Sequence, residues 1–320
     1  MRVLVTGASG FVGANLARHL VISGQEVHLL VRKNSDLWRL ADLLPDVHIH
    51  TADLSDQQTV NTILSDCRPQ QTFHLAVHGA YPQQTDPRAM VHANLLGTMN
   101  LVEAALASGC EVIVNTGSSS EYGFKDHAPL ETERPEPNSH YAVTKAAATM
   151  YCQYVATSRK VHIPTLRLYS VYGPYEEPTR LMPTLILRGL QGEWPPLVSP
   201  DIARDYVYID DVVSAYQAAG NPQSDGAAIY NVGSGVQTTL GEVAAVAQRV
   251  LAINAEPVWG SMEARVWDAS VWVSDPSKLK ACLNWRPKVD FAGGFSTTVD
   301  WFRQHPDLQQ VYRSRQPAVS

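Results

Sequence analysis

The fold of this chain is decided by the stretch Thr6-Gly7-Ala8-Ser9-Gly10-Phe11-Val12-Gly13. The stretch follows Arg2–Val5, an apolar run with the pattern of a buried strand, and it leads into a helix pattern over Gly13–Ser23. Glycines here let the backbone turn tightly and approach a pyrophosphate, which rests on the free N–H groups of a helix N-terminus. An ordinary tight turn is the alternative, but the order strand, loop and helix favours a dinucleotide-binding loop.

Apolar runs and helix patterns alternate over residues 1–170. The expected strands are Arg2–Val5, Glu26–Val31, His48–His50, Thr72–Ala76, Glu111–Thr116 and Pro164–Leu168. The expected helices are Gly13–Ser23, Gln57–Asp66, Met90–Ala107 and Tyr141–Thr157. Alternation of this kind predicts an α/β fold with a doubly wound parallel sheet.

The sequence is less regular beyond this part. Pro and Trp become frequent, as in Trp194-Pro195-Pro196, and a helix pattern over Leu240–Ile253 stands among loops. This shift predicts a smaller, irregular C-terminal part that covers one edge of the sheet. We expect a dinucleotide-binding domain of residues 1–173 with 206–235, and a substrate-binding domain of residues 174–205 with 236–320.

Composition and charge limit the classes of function. A content of 45% hydrophobic and 18% charged residues is typical of a soluble globular protein, and a net charge of −6 gives no general attraction to nucleic acid or anionic membrane. The chain opens directly into a strand pattern and has no apolar run long enough to span a bilayer, so we expect a cytoplasmic protein. The four cysteines are scattered without a CxxC pair, which predicts reduced thiols and no metal site.

The residue after the second strand normally binds the adenosine ribose of a dinucleotide. Glu26–Val31 ends in an apolar residue, and Arg32 and Lys33 follow where an acid would bind the 2′-hydroxyl of NAD. A surface pair is the alternative, but the placement favours the 2′-phosphate of NADP, with NAD as second choice. Asp53-Leu54 follows the third strand, where the carboxylate can accept a hydrogen bond from adenine, cap the next helix, or do both.

Tyr141 and Lys145 lie at the start of a helix pattern that Asn138 or Ser139 can cap. Their spacing of four puts both side chains on one helix face. A nearby ammonium group lowers the pKa of a tyrosine, so Tyr141 is a candidate for proton exchange at neutral pH. A solvated helix face is the alternative, but the position of the pair downstream of a dinucleotide-binding loop favours a catalytic role.

A serine turn, Gly117-Ser118-Ser119-Ser120-Glu121-Tyr122-Gly123, follows the apolar run Val112-Ile113-Val114. Three adjacent hydroxyl groups at the end of a strand fit a solvated loop, a helix cap or a place where a ligand is held and changed. The residues of the turn alone leave these three interpretations open.

Taken in order along the chain, these stretches resemble the extended short-chain dehydrogenase/reductases that act on nucleotide sugars. The further matching stretches are Phe73-His74-Leu75-Ala76, Asn94 with Gly97-Thr98, Arg167-Leu168-Tyr169-Ser170-Val171-Tyr172-Gly173-Pro174, Arg204-Asp205-Tyr206-Val207-Tyr208-Ile209-Asp210-Asp211, Tyr230-Asn231-Val232-Gly233-Ser234-Gly235 and Leu283-Asn284-Trp285-Arg286-Pro287. The resemblance covers nearly the whole chain. It implies a Rossmann-type fold and an NAD(P)-dependent enzyme.

The resemblance also implies the roles of the site residues. Counting back from Tyr122-Gly123 without a gap makes Ser118 the hydroxyl that meets the sugar oxygen beside Tyr141. Ser119 is the fallback, because Glu121 occupies a usually apolar position that could signal a one-residue shift. Ser118 and Tyr141 would stabilise the developing oxyanion, and Lys145 would hold the nicotinamide ribose. The implied cofactor-binding residues are Gly7, Ser9, Gly10, Phe11, Val12, Gly13, Arg32, Lys33, Asp53, Leu54, Leu75, Ala76, Val77, Asn94, Tyr141, Lys145 and Tyr169.

Dehydration is disfavoured among the reactions of these enzymes. Sugar 4,6-dehydratases usually carry an Asp-Glu pair, or the Glu alone, directly after the catalytic serine or threonine. In the gapless register Ser119 and Ser120 stand there, and hydroxyl groups cannot do the work of those carboxyl groups. Only the shifted register would restore one acid, Glu121.

Reduction and epimerisation remain. A reductase transfers hydride from NADPH to C4 of a 4-keto sugar, whereas a 4-epimerase keeps its cofactor and returns the hydride to the other face. Because Arg32 and Lys33 favour NADPH, the sequence slightly favours the reductase over the epimerase. A non-catalytic NADP sensor and a reductase of hydrophobic ketones are the rival classes; the presence of Tyr141 with Lys145 argues against the first.

The implied substrate-binding residues lie in the serine turn and the C-terminal part, where arginines can bind a diphosphate with two parallel hydrogen bonds. For each arginine a surface ion pair is the alternative. Ser170 stands where the family often has Asn, so substrate placement is expected to differ. The candidates are Ser119, Ser120, Ser170, Arg180, Arg204, Arg265 and Asp268. The resemblance also implies a homodimer, paired through Met90–Ala107 and Tyr141–Thr157.

Overall fold

The computed structural model describes residues 1–81, 83–223, 225–263 and 269–316. The strands are β1 (Arg2–Thr6), β2 (Glu26–Val31), β3 (Val47–Thr51), β4 (Gln71–His74), β5 (Val112–Ser118), β6 (Thr165–Leu168), β7 (Ser170–Tyr172), β8 (Ala203–Tyr208), β9 (Ile229–Val232) and β10 (Gln237–Thr239). The helices are α1 (Phe11–Ile22), α2 (Gln57–Cys67), α3 (Pro87–Val91), α4 (Gly97–Ala107), α5 (His140–Arg159), α6 (Leu181–Gly189), α7 (Ile209–Ala219), α8 (Leu240–Leu251), α9 (Ser277–Leu283), α10 (Phe291–Gln304) and α11 (Pro306–Arg315). A π-helical turn, His92–Leu96, joins α3 to α4.

The large sheet has seven parallel strands in the order β3-β2-β1-β4-β5-β6-β9. Its inner strands are buried on both faces, which explains why they read as continuous apolar runs in the sequence. The strand order reverses between β1 and β4, and ligands of such sheets bind at the carboxyl ends of the strands beside that point. The predicted doubly wound parallel sheet is confirmed.

Helices cover both faces of the large sheet. One apolar cluster joins Leu16 of α1 and Val212 of α7 to strand residues such as Val5. The other joins Leu64 of α2 and Leu101 of α4 to the opposite side chains of the strands. Each helix therefore buries an apolar face against the sheet and holds the strand ends in place.

A second, smaller sheet has the order β10-β8-β7, with β7 and β8 parallel and β8 and β10 antiparallel. The buried carboxylate of Asp205 in β8 holds it to the rest of the chain, because it accepts hydrogen bonds from the backbone N–H groups of Ser234, Gly235 and Ser274. The division into two domains stays a prediction, and its boundary between residues 205 and 206 falls inside β8.

Across the described part of the chain, none of the helices combines the length and the apolar character that crossing a membrane requires.

Candidate active site

The glycine loop between β1 and α1 has the backbone shape that a pyrophosphate needs. Gly7 has a φ of 70°, and a Cβ there would lie 2.5 Å from the carbonyl carbon of Leu75. A Cβ on Gly13 would collide with the backbone of Gly7. Gly10 is the N-cap of α1 and has no side chain to satisfy the first N–H groups of the helix. These N–H groups are therefore available to an anionic ligand, and the loop fits a dinucleotide.

Arg39 braces this loop, and the sequence analysis missed it. Its side chain is buried and donates hydrogen bonds to the carbonyls of Ser9 (3.3 Å) and Tyr175 (2.7 Å). It also forms an ion pair with Glu177 at 2.9 Å. In the sequence, Arg39 stands between two apolar residues, Trp38 and Leu40, in a segment for which we predicted neither a strand nor a helix. A charged residue between apolar neighbours was the one signal that could have indicated its burial.

The end of β2 places Arg32 and Lys33 as the sequence predicted, exposed and directly after Val31. Arg32 lies near Asp53, since its charge helps to lower the pKa of that carboxyl group. The main cause of that lowered pKa is hydrogen bonding from Ser55, whose hydroxyl donates to the carboxylate at 2.6 Å. The expectation that Asp53 caps the next helix is wrong, because Asp56 is the N-cap of α2.

The segment after β4 is held by Asn94, in the π-helical turn. Its amide accepts a hydrogen bond from the N–H of His78 (2.7 Å) and donates to the His78 carbonyl and to Thr144 Oγ1. Its oxygen and nitrogen thus bind protein atoms and give Asn94 a positioning role, and its contact with the cofactor stays a prediction. Asn94 fixes the segment that follows β4 and contains the predicted cofactor-binding residues Leu75, Ala76 and Val77.

Tyr141 and Lys145 lie in the first two turns of α5, whose N-cap is Ser139. The Lys145 ammonium donates a hydrogen bond to the carbonyl of Thr116, at 2.5 Å, and burial lowers the pKa of Lys145. Burial raises the pKa of Tyr141, and a hydrogen bond with Ser118 opposes that shift. The expected net lowering of the Tyr141 pKa by Lys145 is therefore wrong for the protein alone, because desolvation is the larger influence.

Ser118, rather than Ser119, is the serine that hydrogen-bonds Tyr141. Ser118 ends β5 and caps a 3₁₀ turn over Ser119–Tyr122, so its hydroxyl stays at the strand end. The hydroxyl also contacts that of Ser120, with 2.7 Å between the two oxygens. Ser119 is buried and lines a small pocket with Tyr169 and Trp272. This arrangement supports the gapless register, and the catalytic roles stay predictions.

Glu121 points into the protein core. Its carboxylate forms an ion pair with Arg167 at 2.9 Å, and the two side chains are 0% and 2% exposed. It also accepts hydrogen bonds from the backbone N–H of Ser118 (2.8 Å) and the hydroxyl of Thr149 (3.1 Å). Glu121 is thereby the partner that fixes Ser118, and its carboxylate is engaged inside the protein. The position of residue 121 is usually apolar in the enzymes that the chain resembles. A glutamate can be buried there because Arg167 pairs with its charge. The sequence analysis did not connect these two residues.

The remaining candidates lie around this cluster. The hydroxyl of Tyr169 is buried without a hydrogen-bond partner in the described structure, as expected of a group that meets a ligand. Arg180 donates to the carbonyl of Ala80 at 3.3 Å, and its charge acts on Tyr141, so it lies on the site's side of the molecule. Arg204 donates to the Ala203 carbonyl and lies 5.7 Å from the Trp272 ring. Ser170 begins β7 and is partly buried, whereas Arg265 and Asp268 lie outside the described residues.

Known proteins resemble the chain over almost its whole length. A UDP-glucose 4-epimerase of Mycolicibacterium smegmatis is 29% identical over 95% of this chain and 99% of its own. A dTDP-glucose 4,6-dehydratase of Streptomyces antibioticus is 26% identical over 95% of this chain and 93% of its own. The solved UDP-glucose 4-epimerase of Thermus thermophilus in complex with NAD has a TM-score of 0.84 and 32% identity, covering 95% of this chain and 99% of that one. The model of the NAD dependent epimerase/dehydratase family matches residues 3–233, and the chain belongs to that family.

Proposed function

We propose that this protein is a nucleotide-sugar 4-epimerase that acts on a UDP-hexose and keeps its nicotinamide cofactor bound. The observation that carries the proposal is a site built from hydroxyl groups and one ammonium, namely Ser118, Tyr141 and Lys145. Such groups can move a proton and stabilise an oxyanion at C4 of the sugar, but they include no carboxyl group to remove the C5 proton and help the C6 hydroxyl leave, as a 4,6-dehydratase must. Relatives that are named UDP-glucose 4-epimerases support the choice of substrate class.

Three residues of the chain would have separate roles in the reaction at the sugar C4 oxygen. Tyr141 would exchange the proton of that oxygen, and Ser118 would donate a hydrogen bond to it while charge develops. Lys145, one helical turn after Tyr141 in α5, is fixed by its hydrogen bond to the Thr116 carbonyl and would hold the cofactor ribose. The bound cofactor would supply the chemistry of hydride removal and return.

Dehydration has weaker support than epimerisation. A 4,6-dehydratase needs a carboxyl group able to gain and lose a proton beside the substrate, and residues 119 and 120 are both serine. The one nearby acid, Glu121, is engaged by Arg167, Ser118 and Thr149. Freeing it would leave the Arg167 guanidinium buried and unpaired, at a cost of several kcal/mol, about 3–5.

An NADPH-dependent 4-keto-sugar reductase is the second candidate, and Arg32 is the observation that favours it. An exposed guanidinium after β2 suits a 2′-phosphate, and no acid stands there to bind the 2′-hydroxyl of NAD. The family description and the NAD complexes of similar structures favour NAD. The NADP preference and the lead of the reductase therefore stay predictions of the sequence alone.

The assay that separates these functions uses UDP-glucose carrying deuterium at C4. An epimerase converts it to UDP-galactose with the deuterium retained, without net consumption of added NADH or NADPH. NADPH consumption in step with product from a UDP-4-keto sugar would establish the reductase instead. Formation of a 4-keto-6-deoxy sugar would establish the dehydratase and overturn the reading of Glu121. Tyr141→Phe is the matched inactive control.

We further propose that the protein works as a cytoplasmic homodimer. Five apolar side chains on the two helices predicted to pair are exposed, and a contact with a second copy would remove their surface from water. These residues are Val91, Leu96, Val143, Met150 and Tyr154. A second copy of the chain would cover them through the same two helices, as the resemblance implied. Arg180 and Arg204 are the described candidates for binding the diphosphate of the substrate.

A further inference from the structure

Three imidazoles and a thiol meet at the edge of the large sheet that lies away from the serine turn. β3 is the edge strand, and its pairing with β2 places His28 opposite His48 and Leu30 opposite His50. The His28 ring stacks on both histidine rings of β3, with centroid distances of 4.7 Å and 5.1 Å. Cys67 joins them from the last turn of α2.

The donor atoms of three of these residues converge. His28 Nδ1 lies 2.8 Å from His50 Nε2. The ligand atoms of His28, His50 and Cys67 all lie within 4.8 Å of one another. We propose that these three side chains bind a zinc ion, with water as the fourth ligand.

The distances suit zinc after a small adjustment. Zinc binds imidazole nitrogen at about 2.0–2.1 Å and thiolate sulfur at about 2.3 Å, in a tetrahedral arrangement. Two imidazole nitrogens on one zinc ion then lie about 3.4 Å apart, and nitrogen and sulfur about 3.6 Å apart. The two rings need to separate by roughly half an ångström to admit the ion. His50 is on the edge strand and only partly buried, so it has room to move.

Glu26 orients the first ligand. Its carboxylate lies 3.2 Å from His28 Nε2, so that nitrogen carries the proton and Nδ1 faces the proposed site as a free lone pair. A carboxylate behind a ligating histidine is the arrangement that commonly fixes the tautomer in zinc sites. Arg2 lies between Glu26 and Cys67, donating to the Cys67 carbonyl at 2.7 Å, and holds the end of α2 against β2.

The protonation states are compatible with this chemistry. Burial lowers the pKa of His28 and of His50, so both rings are neutral at pH 7, the form that binds metals. Burial raises the pKa of Cys67 to about 11, so the thiol is protonated in the metal-free protein. Binding then replaces the thiol proton, which leaves to solvent, and the single ring proton of neutral His50 shifts from Nε2 to Nδ1, so that Nε2 can bind the ion and no proton is lost from this ring. The ion would tie β2, β3 and α2 together.

The sequence predicted no metal here because the ligands lie far apart in it. The site becomes visible only from the register of two parallel strands and from the point where α2 ends. The site lies at the β3 edge of the large sheet, and β1 and β4 separate β2 from β5, the strand that ends in Ser118. The ion is therefore expected to stabilise the fold rather than to act on the substrate.

The test uses the full-length protein without a histidine tag, stripped by chelator and titrated with zinc chloride in competition with a chromophoric chelator. We expect one zinc ion per chain, and at least about a 100-fold loss of affinity in Cys67→Ser and in His50→Gln. Cobalt(II) in place of zinc should give a thiolate charge-transfer band that Cys67→Ser abolishes. Cys282→Ser, which alters an exposed thiol, is the matched control and should bind normally.

Three outcomes would overturn the proposal. One is the absence of stoichiometric zinc binding in the unaltered chain. Another is unchanged affinity in both Cys67→Ser and His50→Gln while circular dichroism shows them folded. The third is loss of binding in His48→Gln with normal binding in Cys67→Ser, which would move the ion to Glu26, His28 and His48. Zinc should also raise the melting temperature of the unaltered chain and leave that of Cys67→Ser unchanged.

Discussion

The buried pair of Glu121 and Arg167 gives the sharpest prediction about stability. In Glu121→Gln the new amide can still accept the hydrogen bonds of Ser118 and Thr149 through its oxygen. Its NH₂ group must then face the Arg167 Nε–H, 2.9 Å from the present carboxylate oxygen, so two donors oppose each other. The Arg167 side chain is 2% exposed, so bulk solvent cannot replace its partner.

The expected cost follows from that burial. Removing one partner of a buried ion pair leaves an uncompensated charge, which destabilises a protein by about 3–5 kcal/mol. With a urea dependence of about 3 kcal/mol per molar, the midpoint of unfolding should fall by roughly 1–1.7 M. The shift in the midpoint is measured by urea titration, with circular dichroism and tryptophan fluorescence as the two signals of unfolding.

A second variant tests the mechanism rather than the magnitude. Arg167→Met added to Glu121→Gln removes the stranded charge, so the double variant should be more stable than Glu121→Gln alone. Glu136→Gln breaks the exposed pair with Lys125 and should leave the midpoint unchanged. If Glu121→Gln unfolds at the unaltered midpoint, or if the two substitutions simply add, the pair is not the anchor of Ser118 described above.

The other predictions concern the site and the assembly. Tyr141→Phe should lower turnover by about 10³-fold or more with cofactor affinity nearly intact, and Ser118→Ala by about 10²–10³-fold; unimpaired Tyr141→Phe would end the proposed mechanism. Arg32→Asp should weaken NADPH binding about 10- to 100-fold relative to NADH, measured by fluorescence titration; equal affinities before and after would remove the argument for NADP. The unaltered chain should sediment as a dimer at micromolar concentration and Met150→Glu with Tyr154→Glu as a monomer, whereas a monomeric unaltered chain would contradict the pairing of helices.

The sequence predicted those structural features that depend on residues close together in the chain. The glycine loop, the strands around it and the spacing of Tyr141 and Lys145 are local patterns, and the structure has them in the expected elements. The structure begins α3 at Pro87, three residues before the predicted helix start at Met90, because Asp86 caps the helix and proline suits its first position.

What the sequence could not predict depends on contacts between distant residues. The partner of Glu121 lies 46 residues away, and the contact exists only because β6 pairs with β5. The short strands β7 and β8 were not expected, since three to six residues in a small sheet leave little pattern. The competition at Tyr141 between burial, which raises its pKa, and the hydrogen bond with Ser118, which lowers it, likewise needs coordinates, because desolvation depends on every neighbour.

The side chain of Arg39 has a kinetic consequence. It binds the glycine loop at Ser9 and, at the same time, the segment of Tyr175 and Glu177, which leads towards α6. The glycine loop therefore cannot move away from that segment without breaking a contact of this buried guanidinium. We expect slow exchange of the dinucleotide, and faster release of bound NADH from Arg39→Lys in a stopped-flow chase. A protein that returns the hydride to the same sugar needs such retention, because a cofactor lost in mid-cycle would strand the ketone.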